Sequence, residues 1–403
     1  MRIRAFQALR PPKEMAARVA SEPYDAIETE DARSLAAANP HSFLHVIRAE
    51  VDLPQGTDIH AHAVYDQANA ALRGLVERGA LVQEDAPCLY VYRLQDGDHV
   101  QHGVVACCRT QDYRSGDIRK HEGTRPDKED DRTRLAEALG AHPGPVFMAY
   151  RDAPAVDSLV SRAEEDDPIF DFPASDGVRH TGWRVRQTRE LTAAFEEVSR
   201  FYIADGHHRS AAAARIAAAR QADAEGEDAE FKWFLSVLFP AGQLRILPYN
   251  RLLSSLGRLG EEEFLTAVRQ VCNVHYGTGA APDQPREIGM YVGGRWYHLK
   301  LQASSRENPV SGLDVSLLQD RILRPLLGVG DPTRDPRLEF VSGARGTDML
   351  QERVDSGAAA VAFTLFPVSL DEMMAVADAG LFMPPKSTWF APKLCSGLFV
   401  HPF

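Results

Sequence analysis

The chain has 403 residues, of which 44% are hydrophobic, so it can bury a substantial core and falls in the range of roughly two or three domains. Its 57 acidic against 45 basic residues give a formal charge of −12, which repels a polyphosphate backbone or an anionic membrane surface and argues against generic nucleic-acid binding. The five cysteines form no Cys-x-x-Cys pair, no run of about 18 apolar residues occurs, and the start of the chain lacks the apolar core of a signal peptide, so a cytoplasmic protein with reduced thiols is expected.

Residues 1–60 are punctuated by Pro11-Pro12 and Asn39-Pro40-His41-Ser42 and read as turns around short elements, with a strand at 43–47. A helix follows at 63–78, with Val64, Ala68, Ala71, Leu72, Leu75 and Val76 on one stripe and Gly79 just past its end. Segments 88–94 and 100–109 flank Asp96-Gly97 as a hairpin. The stretch 118–132 is dense in charge and enters a helix at 127–139. One reading is a solvated loop. The other is a general base with cationic groups beside a turn, His121, Glu122, Arg125 and Lys128, the set needed to handle a phosphoryl donor. No second histidine stands four residues after His121, so this is no zinc motif.

A strand is expected at 145–150, a surface loop or short helix at 152–171, and a helix at 188–199. The sequence then changes character three times. Residues 201–204 are apolar and strand-like, polarity arrives at Asp205, Gly206 permits a tight turn, and 210–219 contains seven alanines, the best helix former. Strand, polar turn and helix in that order aim the orphan amides of the first helical turn and the positive end of the helix dipole at His207, His208, Arg209 and Ser210, an anion site suited to phosphate. The plainer alternative is that Asp205 caps the helix and the histidines are solvated.

Further on, 231–239 is a strand covered on both faces, 261–271 a helix, and 288–292 with 296–301 a hairpin turning at Gly293-Gly294. Helices are expected at 315–327 and 348–354, a strand at 358–366, and a capping box at Ser369-Leu-Asp-Glu372 opens a helix that ends at Gly380. For the tail 383–397 one reading is a proline-pinned segment packing through Trp389 and Phe390, and the other is an anion contact through Lys386, Ser387, Thr388 and Lys393. The expected fold is α+β (mixed α/β), divided into an N-terminal α/β region at 1–140, a central region at 141–250 carrying the strand-turn-helix, and a C-terminal α/β subdomain at 251–403.

Four motifs in order, Asn39-Pro-His-Ser-Phe-Leu-His45, Lys120-His-Glu-Gly-Thr-Arg-Pro-Asp-Lys-Glu-Asp-Asp-Arg132, Ile203-Ala-Asp-Gly-His-His-Arg209 and Met383-Pro-Pro-Lys-Ser-Thr388, make the chain resemble the prokaryotic domain-of-unknown-function family 1015 from end to end. That family implies no reaction. The Asp-Gly-His-His-Arg turn is also similar to the short signature of the ParB/sulfiredoxin-like superfamily, which implies a core of that type. Sulfiredoxin chemistry needs a cysteine where His207 stands, and the helix-turn-helix of the partition proteins is not found. The superfamily's free-serine kinases are more similar, matching at Asp205, Gly206, His207 and Arg209. Such kinases also need a glutamate from elsewhere, for which Glu122 is the candidate.

The residues and the resemblance together lead to a small-molecule phosphotransferase acting on free serine or a similar hydroxyl compound. Asp205 orients or deprotonates the hydroxyl or holds Mg²⁺, His207 and Glu122 assist it, and Gly206, His208, Arg209, Ser210, His121, Arg125, Lys128 and Lys386 bind phosphate. ATP, ADP or pyrophosphate would be the donor. The alternative is a ParB-like regulatory protein that binds CTP or ATP without fast turnover. Expected partners are a small-molecule substrate and a second copy of the chain, with neither nucleic acid nor membrane.

Overall fold

The computed structural model describes residues 1–24, 26–221, 228–277, 279–302 and 308–403. The chain divides into two units, the first formed by Met1–Leu244 with Pro392–Phe403 and the second by Arg245–Ala391.

The first unit is built on one mixed sheet. Its strands are β1 (Ile3–Arg4), β2 (Tyr90–Asp96), β3 (His99–Arg109), β4 (Ile118–Arg119), β5 (Val146–Tyr150), β6 (Phe170–Pro173), β7 (Arg179–Arg184), β8 (Phe201–Asp205) and β9 (Trp233–Pro240). They lie in the order β4-β8-β5-β9-β3-β2-β7-β6, with β1 also on β3. The pairs β8–β4 and β9–β5 are parallel and the others antiparallel. The expected segments 1–140 and 141–250 therefore both supply strands to a single sheet. Asp96 pairs with His99 in the β2–β3 hairpin, so the loop is Gly97-Asp98, with Gly97 at φ 58° as such a tight turn requires. Every residue of β9 is buried, as its unbroken apolar run implies. β9 also crosses β3 so closely at Gly103 that a Cβ there would lie 2.4 Å from Val237 Cγ1.

Under the sheet, the helix Thr188–Glu196 buries Leu191 and Phe195, and Phe195 meets Phe201 of β8 edge-on at 5.8 Å and Tyr150 of β5 at 5.2 Å. This packing fixes the strand that ends in Asp205. Helices α1 (Pro126–Leu139) and α2 (His207–Ala219) are joined by Arg215, which pairs with Asp130 at 2.7 Å and Glu129 at 3.6 Å. The tail is anchored by Ser396 to Ser21, Val400 to Leu9, and His401–Pro402 to Ala141–His142.

In the second unit the sheet order is β11-β13-β12-β15-β10-β14, from β10 (Tyr249–Leu253), β11 (Asn273–Tyr276), β12 (Glu287–Val292), β13 (Arg295–Lys300), β14 (Leu338–Ser342) and β15 (Val361–Leu365). A two-stranded pair, Arg245–Leu247 with Trp389–Ala391, completes it. The β12–β13 hairpin turns at Gly293 and Gly294, both at positive φ, and the Ser369 hydroxyl accepts the Glu372 amide at 3.2 Å in a closed capping box.

Two local expectations are corrected. Residues 43–47 form the short helix Leu44–Ile47 rather than a strand, because the Ser42 hydroxyl accepts the Leu44 amide at 3.2 Å and Phe43, Leu44, Val46 and Ile47 all bury in one cluster. The helix expected at 315–327 runs as Asp314–Leu318, a π-helical stretch Gln319–Leu323, and Arg324–Leu327. Pro325 has no amide to donate to the preceding turn, so the bond pattern shifts ahead of it. All five cysteines are free thiols, with Cys107 and Cys108 fully buried in β3. No helix among the described residues is long and apolar enough to cross a membrane.

Candidate functional site

The site grows from the end of β8. Gly206 takes φ 96°, a left-handed conformation that side chains other than glycine disfavour, and a Cβ there would lie 2.9 Å from Arg209 Nε. Glycine is thus required both for the turn and for the guanidinium to fold back over it. The Gly206 amide donates to Asp205 Oδ1 at 2.9 Å. Lys393 Nζ donates to Asp205 Oδ2 at 3.0 Å, and Arg209 Nη2 stands 3.7 Å from the same oxygen. Arg209 Nη1 donates to the Pro145 carbonyl at 2.6 Å, which fixes the guanidinium between the residue just before β5 and the carboxylate.

Burial acts to raise the Asp205 pKa, but Lys393 and then Arg209 overcome it, and the carboxyl lies well below the usual carboxylate range. One carboxylate faces two cations at the start of a 13-residue helix, where the helix dipole is also positive.

The loop before α1 lies against this turn. His121 and His207 meet edge-to-face with centroids 4.6 Å apart, and both are buried. Burial pulls His121 down to about 4, opposed by a bond to the Ile203 backbone and by the charge of Asp205. Burial and then the neighbouring His121 hold His207 well below its ordinary value. Both are neutral at neutral pH, and His207 Nε2 is buried without a hydrogen-bond partner among the described residues. His208 Nε2 accepts the Arg125 amide at 3.1 Å, so that nitrogen carries a lone pair and docks the loop. The Ser210 hydroxyl donates to the Gly206 carbonyl at 3.0 Å.

The structure thus brings His121 and Arg125 to the residues 205–210, with Glu122 half-buried beside His121 and Lys128 half-buried in the first turn of α1. The Arg125 guanidinium is turned to Asp127 at 2.6 Å. Lys386 belongs to the second unit, where its ammonium stands 5.5 Å from the Tyr249 ring and its carbonyl accepts Arg251 at 3.0 Å. The residue that sequence reasoning did not connect to the turn is Lys393, 188 positions from Asp205. Its appearance among the polar residues of the tail was the one available signal. Among the described residues no three His, Cys, Asp or Glu side chains gather as a metal-binding group.

Fold and site together define a mixed α/β protein with a cationic strand-turn-helix centre. The family model described as "Protein of unknown function (DUF1015)" matches residues 3–316, and the chain belongs to this family. No curated protein matches it. Among solved structures it is similar to a free serine kinase in complex with ADP, at 11% identity over 73% of this chain and 92% of that one, with a TM-score of 0.38. It is also similar to a conserved hypothetical protein from Pyrococcus furiosus, at 13% identity over 74% and 95% of the two chains, with a TM-score of 0.37. A third similar structure is SbnI with a C-terminal truncation from Staphylococcus aureus, at 14% identity over 74% and 87%, with a TM-score of 0.39.

Proposed function

We propose that the turn at residues 205–210 holds the phosphate of a donor and that the protein is a small-molecule phosphotransferase. The observation that carries this reading is the pair of cations, Lys393 and Arg209, converging on one carboxylate at a helix start. A phosphate placed there meets two charged donors and the first-turn amides, which suits a reaction where positioning and charge stabilisation outweigh covalent chemistry. The donor is ATP, ADP or pyrophosphate. The acceptor hydroxyl oxygen bonds to phosphorus, the phosphorus–oxygen bond to the leaving phosphate breaks with its electron pair, and the hydroxyl proton leaves through the Asp205 carboxylate to water.

Because its pKa is depressed, Asp205 is a weak base, and its main task is to accept the hydrogen bond of the hydroxyl and hold it in line. His207, neutral and with an unengaged nitrogen, is the second acceptor beside it. Glu122 remains the candidate for a stronger base. The donor set offers Mg²⁺ one carboxylate, so the ion would arrive on the donor's phosphates, and no step here is routed through it. The free thiols fit the reducing environment of the cytoplasm.

The same weak basicity favours a second reading, a regulatory protein that binds CTP or ATP without fast turnover. Phosphorus NMR separates the two. Wild-type protein with L-serine and, in turn, ATP, ADP and pyrophosphate should form a phosphate monoester, and Asp205→Asn should not, with circular dichroism as the folding control. Equal turnover by both proteins removes Asp205 from the chemistry. Nucleotide binding without product from any donor or hydroxyl compound makes the regulatory reading the better one.

A further inference from the structure

Behind the Arg209 guanidinium, on α2, lies a cavity of about 40 Å³ whose polar lining comes from Arg209, Arg132, His142 and Ser396. Its walls are otherwise apolar, including Ile47, Leu135 and Ala212. We infer that this cavity binds a small organic monoanion, a short hydroxy acid or amino acid, with its carboxylate on the two arginines.

Charge is the first argument. Arg132 is neutralised by Asp131, which accepts its Nε at 2.9 Å, and its guanidinium carbon stands 4.1 Å from the centre of the Tyr24 ring. Arg209 has no carboxylate of its own, because Asp205 is shared with Lys393 and lies closer to that lysine. Asp205 is thus shared between two cations, and Arg209 holds the longer of the two contacts. Arg209 Nε is also buried without a partner among the described residues, a donor that a carboxylate oxygen would satisfy.

The second argument is independent of charge. His142 is 7% exposed, and one of its nitrogens bonds the Trp233 backbone. The other, Nε2, is buried without a partner among the described residues. Burial and then the neighbouring His401 hold this imidazole well below its ordinary pKa, so it is neutral and Nε2 offers a lone pair. A cavity with guanidinium donors and an imidazole acceptor suits a molecule that carries a carboxylate and also a hydroxyl or ammonium proton. The apolar walls accommodate a short carbon body and exclude a nucleotide base by size.

On the phosphotransferase reading, on which its role as acceptor rests, this molecule reaches the donor across Arg209, which borders both Asp205 and the cavity. The binding claim itself does not need turnover. Saturation-transfer NMR with L-serine, D-glycerate and L-lactate, with ethanolamine as the probe lacking a carboxylate, tests it on the full chain. At least one of the three acids should bind and ethanolamine should not. Ala212→Leu, which fills the cavity from α2, should weaken that binding by about tenfold or more. Gly144→Ala places a methyl 3.5 Å from Arg209 Nη1, an ordinary contact that leaves the fold intact, and should weaken it several-fold. Binding of ethanolamine as tight as that of the acids, no binding by any acid, or unchanged binding in both folded variants overturns the inference. Binding of an acid with no phosphate ester formed keeps the cavity assignment and removes the phosphotransferase reading.

Discussion

Replacing Lys393 by methionine keeps most of the side chain and removes the ammonium that lies 3.0 Å from Asp205 Oδ2. The two side chains are 21% and 23% exposed, between a surface pair and a buried one. Surface pairs contribute about 0–1 kcal/mol, and breaking a buried pair costs about 3–5 kcal/mol. Arg209, 3.7 Å from the same oxygen, retains part of the attraction. The expected loss is therefore about 1–3 kcal/mol, which lowers the Tm of a unit of this size by roughly 3–10 °C. The pH dependence carries a definite sign. The folded pKa of Asp205 is depressed, so its stabilisation is complete above the unfolded value of about 3.9 and is lost as the pH falls through the folded value. The gap in Tm between wild type and Lys393→Met should hold steady from about pH 5 to 8 and shrink only in more strongly acidic solution, as Asp205 takes up a proton in the folded proteins. Differential scanning fluorimetry across that range, repeated with Asp205→Asn and the double variant, measures the gap and the coupling. Equal melting at pH 7.5 or strict additivity in the double variant would refute the pairing.

Gly206→Ala imposes a side chain at φ 96° with its Cβ 2.9 Å from Arg209 Nε, and chemical denaturation should show a loss of about 1–3 kcal/mol from the backbone conformation alone. Gly103→Val drives a branched side chain into Val237 and Phe239 between β3 and β9. It should prevent soluble expression or lower Tm sharply, which thermal melts will show. His121 and His207 are buried neutral with depressed pKa values, so the unfolded chain binds more protons below its pKa of about 6.5 and stability should fall as the pH drops from there toward about 4. Denaturant midpoints at several pH values check this, and His121→Gln should flatten the slope.

The turn itself was legible because its determinants are adjacent in sequence. A glycine between an apolar strand and an alanine-rich segment specifies strand, left-handed turn and helix without help from distant residues. The hairpins at Gly97 and Gly293 and the capping box at Ser369 were legible for the same reason. Residues 43–47 were misread because a five-residue apolar run has no period long enough to separate strand from helix, and the Ser42 bond decided it. Lys393 could be named as an anion contact, but its partner could not. The pairing depends on the tail returning to the first unit through Ser396, Val400 and His401, a tertiary event with no local signature. The cavity behind Arg209 was invisible for the same reason, since Tyr24, Arg132, His142 and Ser396 come from four separate stretches. That His208 Nε2 bonds the Arg125 amide and the Ser210 hydroxyl the Gly206 carbonyl also needed coordinates, because residue type fixes what a side chain can bond and not which partner it meets.

The central claim, that the Asp205–Arg209 turn is an anion site with Lys393 as its second cation, is tested most directly by isothermal titration of pyrophosphate into wild type, Arg209→Ala and Lys393→Met, each confirmed folded by circular dichroism. Wild type should bind, and each variant should bind at least about tenfold more weakly, the loss of one charge-assisted contact. Pyrophosphate binding of equal affinity in all three proteins would contradict the account.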